Sequence, residues 1–483
     1  MRSLSYILLL CGLCLTSEGV AQDKRVEQLV QEFVSNDALK GASVGVCIKD
    51  LKTDKYLAQH DAGRRLVPAS TLKVLTTAAA LDKLGADYRF ETNFYLSGEM
   101  VADVWQGNVY ILGSSDPTLA SDFFDGPGLD RAYDDVVGTL WQLGIKEISG
   151  GIIAVSGALD GVETARDWQW QDLGNYYGAN AWQVNIADNK YIITFKQKSV
   201  KGEIPPIVKI EPNVPNLKLS NLVKTGPVGS GDNAYIFGVP YQNERFVTGT
   251  IPAGSGLFSI NGSIPNPPLF AAQHLKSSIE QKGIKVSGNS SVETPADLPK
   301  ASKDWQHIYT ITSPPLRDII KIINKRSNNV YAESVYYALR AKQDSDQSSP
   351  VSDWLNTLGM DDTHVSERDG SGMSRKNLCT AMAMTDVLSQ IYRKTYFSDF
   401  MSSLARPGEE GTLKRAFLKM PGQTELYAKS GSLSGVIAYT GYIVDGDKDI
   451  IAFTVLINHY DGSFSVVRNH IEQLVYAISR VRR

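Results

Sequence analysis

The sequence predicts a multidomain α+β protein: an antiparallel sheet flanked by helices, carrying a large insertion that forms two further domains. Three observations predict it. Helical patterns stand at both ends of the chain, and a β-meander lies near the C-terminus. More than half of the chain separates two polar motifs, Ser70-Thr71-Leu72-Lys73 and Ser327-Asn328-Asn329, that one active site would have to bring together. Within that stretch the pattern turns from mixed α/β to short β runs split by Pro and Gly.

Residues 1–21 combine Arg2, an apolar run from Leu4 to Leu15 and the small-residue site Gly19-Val20-Ala21. This is the pattern of a secretory signal peptide, too short to span a membrane. An exported protein of the periplasm or cell envelope is expected. The catalytic portion is read as residues 22–86 and 265–483. It opens with a helix bearing Val26, Leu29, Val30 and Phe33 on one face, then a strand over 43–48 and a hairpin partner over 55–60. Behind Pro68, the spacing of Leu72, Leu75, Ala78, Ala79 and Leu81 predicts a buried helix. Residues 87–189 and 250–264 read as an inserted α/β domain, with strands at 108–112 and 151–155 and a helix over 133–143. Residues 190–249 read as a nested small all-β domain. After the return at 265, two helical patterns over 316–338 break at Ser327-Asn328-Asn329. Strands follow at 427–429, 438–444 and 450–456. A last helix carries Ile471, Leu474, Val475 and Ile478 and is expected to pack on the sheet, leaving membrane contact absent or peripheral.

Composition narrows the function. With 49 Lys+Arg against 52 Asp+Glu, the net charge of −3 carries no nucleic-acid signature. The six histidines, His60, His274, His307, His364, His459 and His470, form no metal motif, so neither metal nor cofactor is expected. Beyond the leader only Cys47 and Cys379 remain, read as two unpaired buried thiols, with one disulfide between them as the alternative in an oxidising compartment.

The chemistry-bearing motifs are polar. Helix positions three apart share a face, which sets the Ser70 hydroxyl beside the Lys73 amine. A desolvated lysine can deprotonate a serine nucleophile, and a second lysine nearby favours the neutral amine this requires. Acyl transfer by such a pair needs Ser-x-Asn and Lys-Ser/Thr-Gly as companions. Ser327 and Asn329 supply the first, where the break between helices lets side chains project. Lys429-Ser430-Gly431, followed by Ser432, supplies the second on a strand, and Lys429 suits a substrate carboxylate. Two decoys fail on chain order and context: Lys224-Thr225-Gly226 lies in the β insert, and Ser259-Ile260-Asn261 runs into a turn. Gly41-Ala42-Ser43-Val44-Gly45 matches a nucleophile elbow, which needs a strand before the serine and a helix after it. Here the order is reversed.

Further segments complete a family pattern: Pro68-Ala69 before the nucleophile, Tyr88-Arg89-Phe90, Gly113-Ser114-Ser115-Asp116-Pro117-Thr118-Leu119, Trp168-Gln169-Trp170-Gln171-Asp172, Tyr177-Gly178-Ala179 and Asp369-Gly370-Ser371-Gly372-Met373-Ser374-Arg375. Over most of the chain the sequence resembles the class C low-molecular-weight penicillin-binding proteins, which are D-alanyl-D-alanine carboxypeptidases and endopeptidases. Ser430 stands where Thr is commoner and keeps the hydroxyl. The resemblance implies a transpeptidase/β-lactamase-like domain acting on peptidoglycan stem peptides. It also implies cleavage of D-Ala-D-Ala ends, D-Ala-diaminopimelate cross-links or both through a Ser70 acyl-enzyme, with β-lactams as covalent inhibitors. The backbone N–H groups of Ser70 and Ser432 would form the oxyanion hole, Ser327 would relay the proton, and Asn329 would hold Lys73 and the substrate amide. Ser430, Gly431 and Ser432 would line the substrate carboxylate. Asp172 and Arg375 offer the opposite charges that the zwitterionic end of diaminopimelate calls for; otherwise Arg375 caps its turn and Asp172 is surface. Two alternatives remain. A serine β-lactamase would set Ser-x-Asn closer to the nucleophile, and a non-catalytic envelope-binding protein would not need three intact motifs.

Overall fold

The computed structural model describes residues 23–481, except 125, 127, 158–166, 299–304, 344–348 and 447–448. The signal-peptide reading therefore lies outside the described residues. The chain forms two compact units. The first comprises the residues up to 86, then 317–327, and everything from 343 on; the second comprises 87–316 and 328–342.

The first unit is built on a five-stranded antiparallel sheet. Its order is Lys55–His60, Ser43–Asp50, Asp449–Asn458, Val436–Asp445, Thr424–Leu433. The central strands are buried on both sides, so they read as continuous apolar runs rather than alternation. One face carries the helix over 23–34, through Val26, Val30 and Phe33, and the C-terminal helix Phe464–Val481, through Val467, Ile471, Val475 and Ile478. The C-terminal helix thus packs on the sheet as expected. Among the described residues no helix is long and apolar enough to cross a membrane. The other face takes the helix Ala381–Tyr392, against which the helix Lys73–Lys83 packs.

Among the described residues the second unit holds four sheets, of five, four, four and three strands. A five-stranded sheet runs Ser290–Glu293, Ile152–Val155, Val109–Gly113, Glu91–Leu96, Gln306–Thr312. Beside it in the chain, the β run continues from Lys190 to Ser263, because Leu257–Ser263 pairs along the whole of Lys190–Lys196. The nested β region read as 190–249 therefore extends past its expected end. Residues 265–316, read as the return to the catalytic portion, also belong here. Phe270, Ala271, Leu275 and Ile279 of the helix Pro267–Gln281 enter the same core as Phe94, Ile111 and Ile152. Gln306–Thr312 pairs antiparallel with Glu91–Leu96. The chain first returns to the first unit at 316–317, where the Leu316 N–H donates to the Tyr88 carbonyl and the Arg317 N–H to the Ala86 carbonyl.

Candidate active site

Ser70 lies in a tight turn, Ala69–Leu72, that runs directly into the helix Lys73–Lys83. The residue before it is strained: Ala69 sits at φ +48°, a region that costs an alanine about 1 kcal/mol or more. Lys73 is wholly buried. Its Nζ lies 3.0 Å from Ser70 Oγ and donates to the Ser371 carbonyl at 2.5 Å. The sequence placed Ser70 and Lys73 on one helical turn; the turn is 3₁₀-like, and the pairing across three residues is the same.

Ser327 ends the helix Leu316–Arg326 at φ +57°, again in the left-handed region. That helix is fastened by Asn324, whose buried Nδ2 donates to Thr77 Oγ1 at 3.1 Å and Ser403 Oγ at 2.8 Å. Lys429 Nζ reaches Ser327 Oγ at 2.9 Å and the Ser430 carbonyl at 2.6 Å. Lys429 is fully buried; burial first, then the positive charge of Lys73, hold its ammonium well below the usual lysine range. Gly431 is required by close approach. A Cβ there would come within 2.8 Å of the Pro68 carbonyl oxygen and 2.9 Å of the Ser70 amide nitrogen. The strand Thr424–Leu433 therefore runs against the nucleophile turn. Ser430 is half-buried and Ser432 exposed on it.

Asn329 falls in the second unit, at the start of the helix Asn329–Arg340. Asn328 caps this helix, accepting from the Tyr331 N–H at 3.2 Å, and Asn329 Nδ2 donates to the Tyr177 carbonyl at 2.7 Å. Asp172, also in the second unit, sits in the short helix Trp170–Leu173 and accepts from the Tyr177 hydroxyl at 3.3 Å. Arg375 belongs to the first unit, where its guanidinium donates to the Ser434 carbonyl at 3.1 Å. The first unit thus brings together Ser70, Lys73, Ser327 and the segment Lys429–Ser432. Asn324 and the Asp369 turn escaped the sequence reading as site residues, since both act on neighbours distant in the chain.

The decoys resolve differently. Lys224 is exposed on Lys224–Gly226, a short strand parallel to Glu244–Pro252. Ser259 stands inside the strand Leu257–Ser263, bonded to Thr194 Oγ1 at 3.0 Å, and not in a turn; strand pairing with Lys190–Lys196 overrides the local Gly and Pro signals. Ser43 opens a strand with no helix after it. Cys47 and Cys379 are free and buried, and burial pushes the Cys47 thiol up to about 12. Among the described residues, no three His, Cys, Asp or Glu side chains gather as a metal site would need.

The D-Ala-D-Ala carboxypeptidase 3 (S13) family matches residues 26–481. A D-alanyl-D-alanine carboxypeptidase of Actinomadura sp. is 27% identical over 464 residues, covering 90% of this chain and 81% of that protein. Among solved structures, penicillin binding protein 4 (dacB) of Haemophilus influenzae superposes with a TM-score of 0.75 at 23% identity, covering 93% of this chain and 99% of that one. The same protein complexed with a novel β-lactam gives 0.73 at 23%, covering 94% and 98%. These likenesses carry the fold: a β-lactamase-like portion with extra domains.

Proposed function

The chain belongs to the D-Ala-D-Ala carboxypeptidase 3 (S13) family as a class C low-molecular-weight penicillin-binding protein, a serine-type carboxypeptidase, and from that premise we propose that Ser70 forms its acyl-enzyme. The substrates are peptidoglycan stem peptides, cut at D-Ala-D-Ala ends, D-Ala-diaminopimelate cross-links or both. The observation that carries the reading is the pairing of two hydroxyls with two buried amines: Ser70 with Lys73 at 3.0 Å, and Ser327 with Lys429 at 2.9 Å.

Ser70 Oγ attacks the carbonyl of the penultimate D-alanine while Lys73 Nζ takes its proton. Backbone N–H groups of Ser70 and Ser432 receive the oxyanion, and Ser327 passes a proton to the departing amine. Asn329, the last residue of the Ser-x-Asn motif, is assigned to the substrate amide. Lys429, with Ser430, Gly431 and Ser432, takes the terminal carboxylate. Burial and the charge of Lys73 disfavour the Lys429 ammonium, and an arriving carboxylate favours it again. β-Lactams enter the same path and stay as covalent adducts, in line with the complex of the Haemophilus influenzae protein. Export to the envelope follows from the leader pattern of residues 1–21. Arg375 is proposed to meet the carboxylate of the diaminopimelate side chain and Asp172 its ammonium. Asp172→Ala and Arg375→Ala then slow cleavage of diaminopimelate peptides yet spare acylation by a penicillin lacking that side chain.

The test incubates the protein with purified muropeptide monomers and cross-linked dimers and separates the products, alongside mass spectrometry of a benzylpenicillin adduct. A lasting adduct on Ser70 with loss of D-alanine or of the cross-link supports the reading. Rapid loss of the adduct with no peptide cleavage would make the protein a β-lactamase, and no adduct at all a binding protein.

A further inference from the structure

The buried turn after Asp369 takes no part in the reaction steps above, yet it touches the nucleophile helix at three points. The Asp369 carboxylate is 1% exposed. One oxygen accepts the Gly372 N–H at 2.7 Å and Asn377 Nδ2 at 2.8 Å; the other accepts the Ser374 N–H at 2.6 Å. These bonds wind residues 370–374 around the carboxylate and aim two consecutive carbonyls at the helix Lys73–Lys83. The Gly370 oxygen accepts Thr76 Oγ1 at 2.8 Å, and the Ser371 oxygen accepts Lys73 Nζ. The third point is Gly372, at φ +85°, where a Cβ would stand 2.0 Å from the Ala69 carbonyl oxygen. That contact seats the turn against the strained residue preceding Ser70.

We propose that Asp369 is a positioning residue for Lys73, holding the Ser371 carbonyl where it orients the amine toward Ser70. The inference rests on Ser70 and Lys73 acting as proposed above. A neutral amine has two N–H bonds and one lone pair. Donation of one N–H to a fixed carbonyl restricts rotation about the Cε–Nζ bond and leaves the lone pair free to face Ser70 Oγ, 3.0 Å away. Once the proton has moved, the same carbonyl dipole faces the new ammonium and stabilises it, offsetting the like charge that the Lys429 side brings. Asp369→Asn undoes the arrangement without changing side-chain size. The new amide NH₂ would point at a backbone N–H, donor against donor, and the turn must open to relieve it.

The experiment follows acylation of the full-length protein by a chromogenic cephalosporin in rapid mixing, separating the first-order acylation constant from the affinity that precedes it. Stoichiometry at Ser70 is read by mass spectrometry. For Asp369→Asn the acylation constant is expected to fall tenfold or more, with affinity within twofold and a full complement of Ser70 adduct. A reduced adduct fraction that reacts at the wild-type rate would mean Asp369 serves folding alone, and the inference would be overturned. Should Asp369→Asn not fold, Thr76→Val removes the neighbouring contact to the same turn at nearly equal volume. It is expected to slow acylation threefold or more with full adduct, and a wild-type constant there also overturns the inference. If the wild-type protein itself carries no adduct on Ser70, the parent reading fails and this one falls with it.

Discussion

Two clusters of buried charge, one in each unit, differ in the partners they meet. In the first, Lys73 and Lys429 are both wholly buried and meet hydroxyls and backbone carbonyls: Ser70, Ser371, Ser327 and Ser430. In the second, Asp188 is nearly as deep but meets Lys190 Nζ at 2.8 Å, Ser121 Oγ at 2.7 Å and the Tyr331 hydroxyl at 3.2 Å. A buried charge with a full set of partners is scaffold. One whose charged form is disfavoured by burial and a like charge, as the Lys429 ammonium is, gives up its proton more readily than a hydrated lysine. Strained backbone divides the same way. Ala69 precedes Ser70, and Ser327 is itself the residue proposed as the relay. In the second unit, Ala187, Asp188 and Asn189 all lie at φ near +50° and are locked by side-chain bonds, with Asn189 Nδ2 donating to the Asn180 carbonyl and Asn185 Oδ1.

The comparison breaks most visibly at the nucleophile. Ser70→Ala is expected to abolish penicilloylation, since removal of a serine nucleophile costs as much as roughly 10⁶ in rate. Intact-mass measurement after benzylpenicillin treatment checks it, with an unchanged denaturation midpoint as control. An adduct persisting in the variant would move the nucleophile elsewhere, and one on Ser43 would restore the elbow reading.

On the scaffold side, Asp188→Asn should destabilise the protein by about 3 kcal/mol. It removes the charge that Lys190 meets at Oδ2 and sets an amide NH₂ either against that ammonium or, if the amide turns over, against the Ser121 and Tyr331 hydroxyls at Oδ1. Tyr331→Phe should cost about 1 kcal/mol, the worth of a neutral hydrogen bond. Urea denaturation measures both. A loss well under 1 kcal/mol for Asp188→Asn would remove Asp188 from the scaffold.

Asp116 sharpens that contrast, because it is an acid of the second unit left half-satisfied. One oxygen accepts the Thr118 N–H and hydroxyl at 2.8 and 2.7 Å, while the other has no hydrogen-bond partner among the described residues. Burial raises its carboxyl from 3.8 to about 6. Between those values the folded chain holds a proton that the unfolded chain has released, so folding takes up a proton and stability falls as pH rises through that window. From pH 4 to pH 8 the wild type should lose roughly 2–3 kcal/mol relative to Asp116→Asn, which cannot ionise. Denaturation curves that stay parallel across that range would place the Asp116 proton elsewhere.

Much of this was legible in the sequence because it depends on local order. The helical spacing of Leu72, Leu75, Ala78 and Leu81, the β-meander after Glu425 and the chain order of the three motifs all survive in the fold. The helix Pro267–Gln281 was misassigned because its apolar face reads the same whichever core receives it; only its packing on Phe94 and Ile111 decides. The end of the β insert was missed for a similar reason, since Leu257–Ser263 takes its identity from a partner strand far earlier in the chain. The Asp369 turn works through carbonyl oxygens, which every residue has and no residue type advertises. The shift on Lys429 arises from burial of two lysines together, which sequence spacing does not reveal.

The smallest expected effect compares like with like across the two units. Lys224-Thr225-Gly226 and Lys429-Ser430-Gly431 both lie on strands, and the first is the more literal version of the motif. Their surroundings differ in each physical respect that matters. Lys224 is exposed, so its ammonium is hydrated and an anion gains little by displacing that water. Lys429 is dry, its amine is held by Ser327 Oγ, and Gly431 beside it presses the strand onto the Ser70 turn. A carboxylate reaching Lys429 favours its ammonium and gains a charge-assisted bond in a low-dielectric setting. Lys429→Ala should therefore lower kcat/KM for peptides ending in a free D-alanine carboxylate by about 1.5–3 kcal/mol, roughly one to two decades. Lys224→Ala should leave it within a factor of two. Amidating the terminal carboxylate of the peptide should reproduce the loss in the wild type and add little to it in Lys429→Ala, since the two changes remove the same contact. If the losses instead multiplied, Lys429 would be acting on proton transfer at Ser327 and not on the carboxylate. If Lys224→Ala proved the more damaging change, the third motif would belong to the second unit.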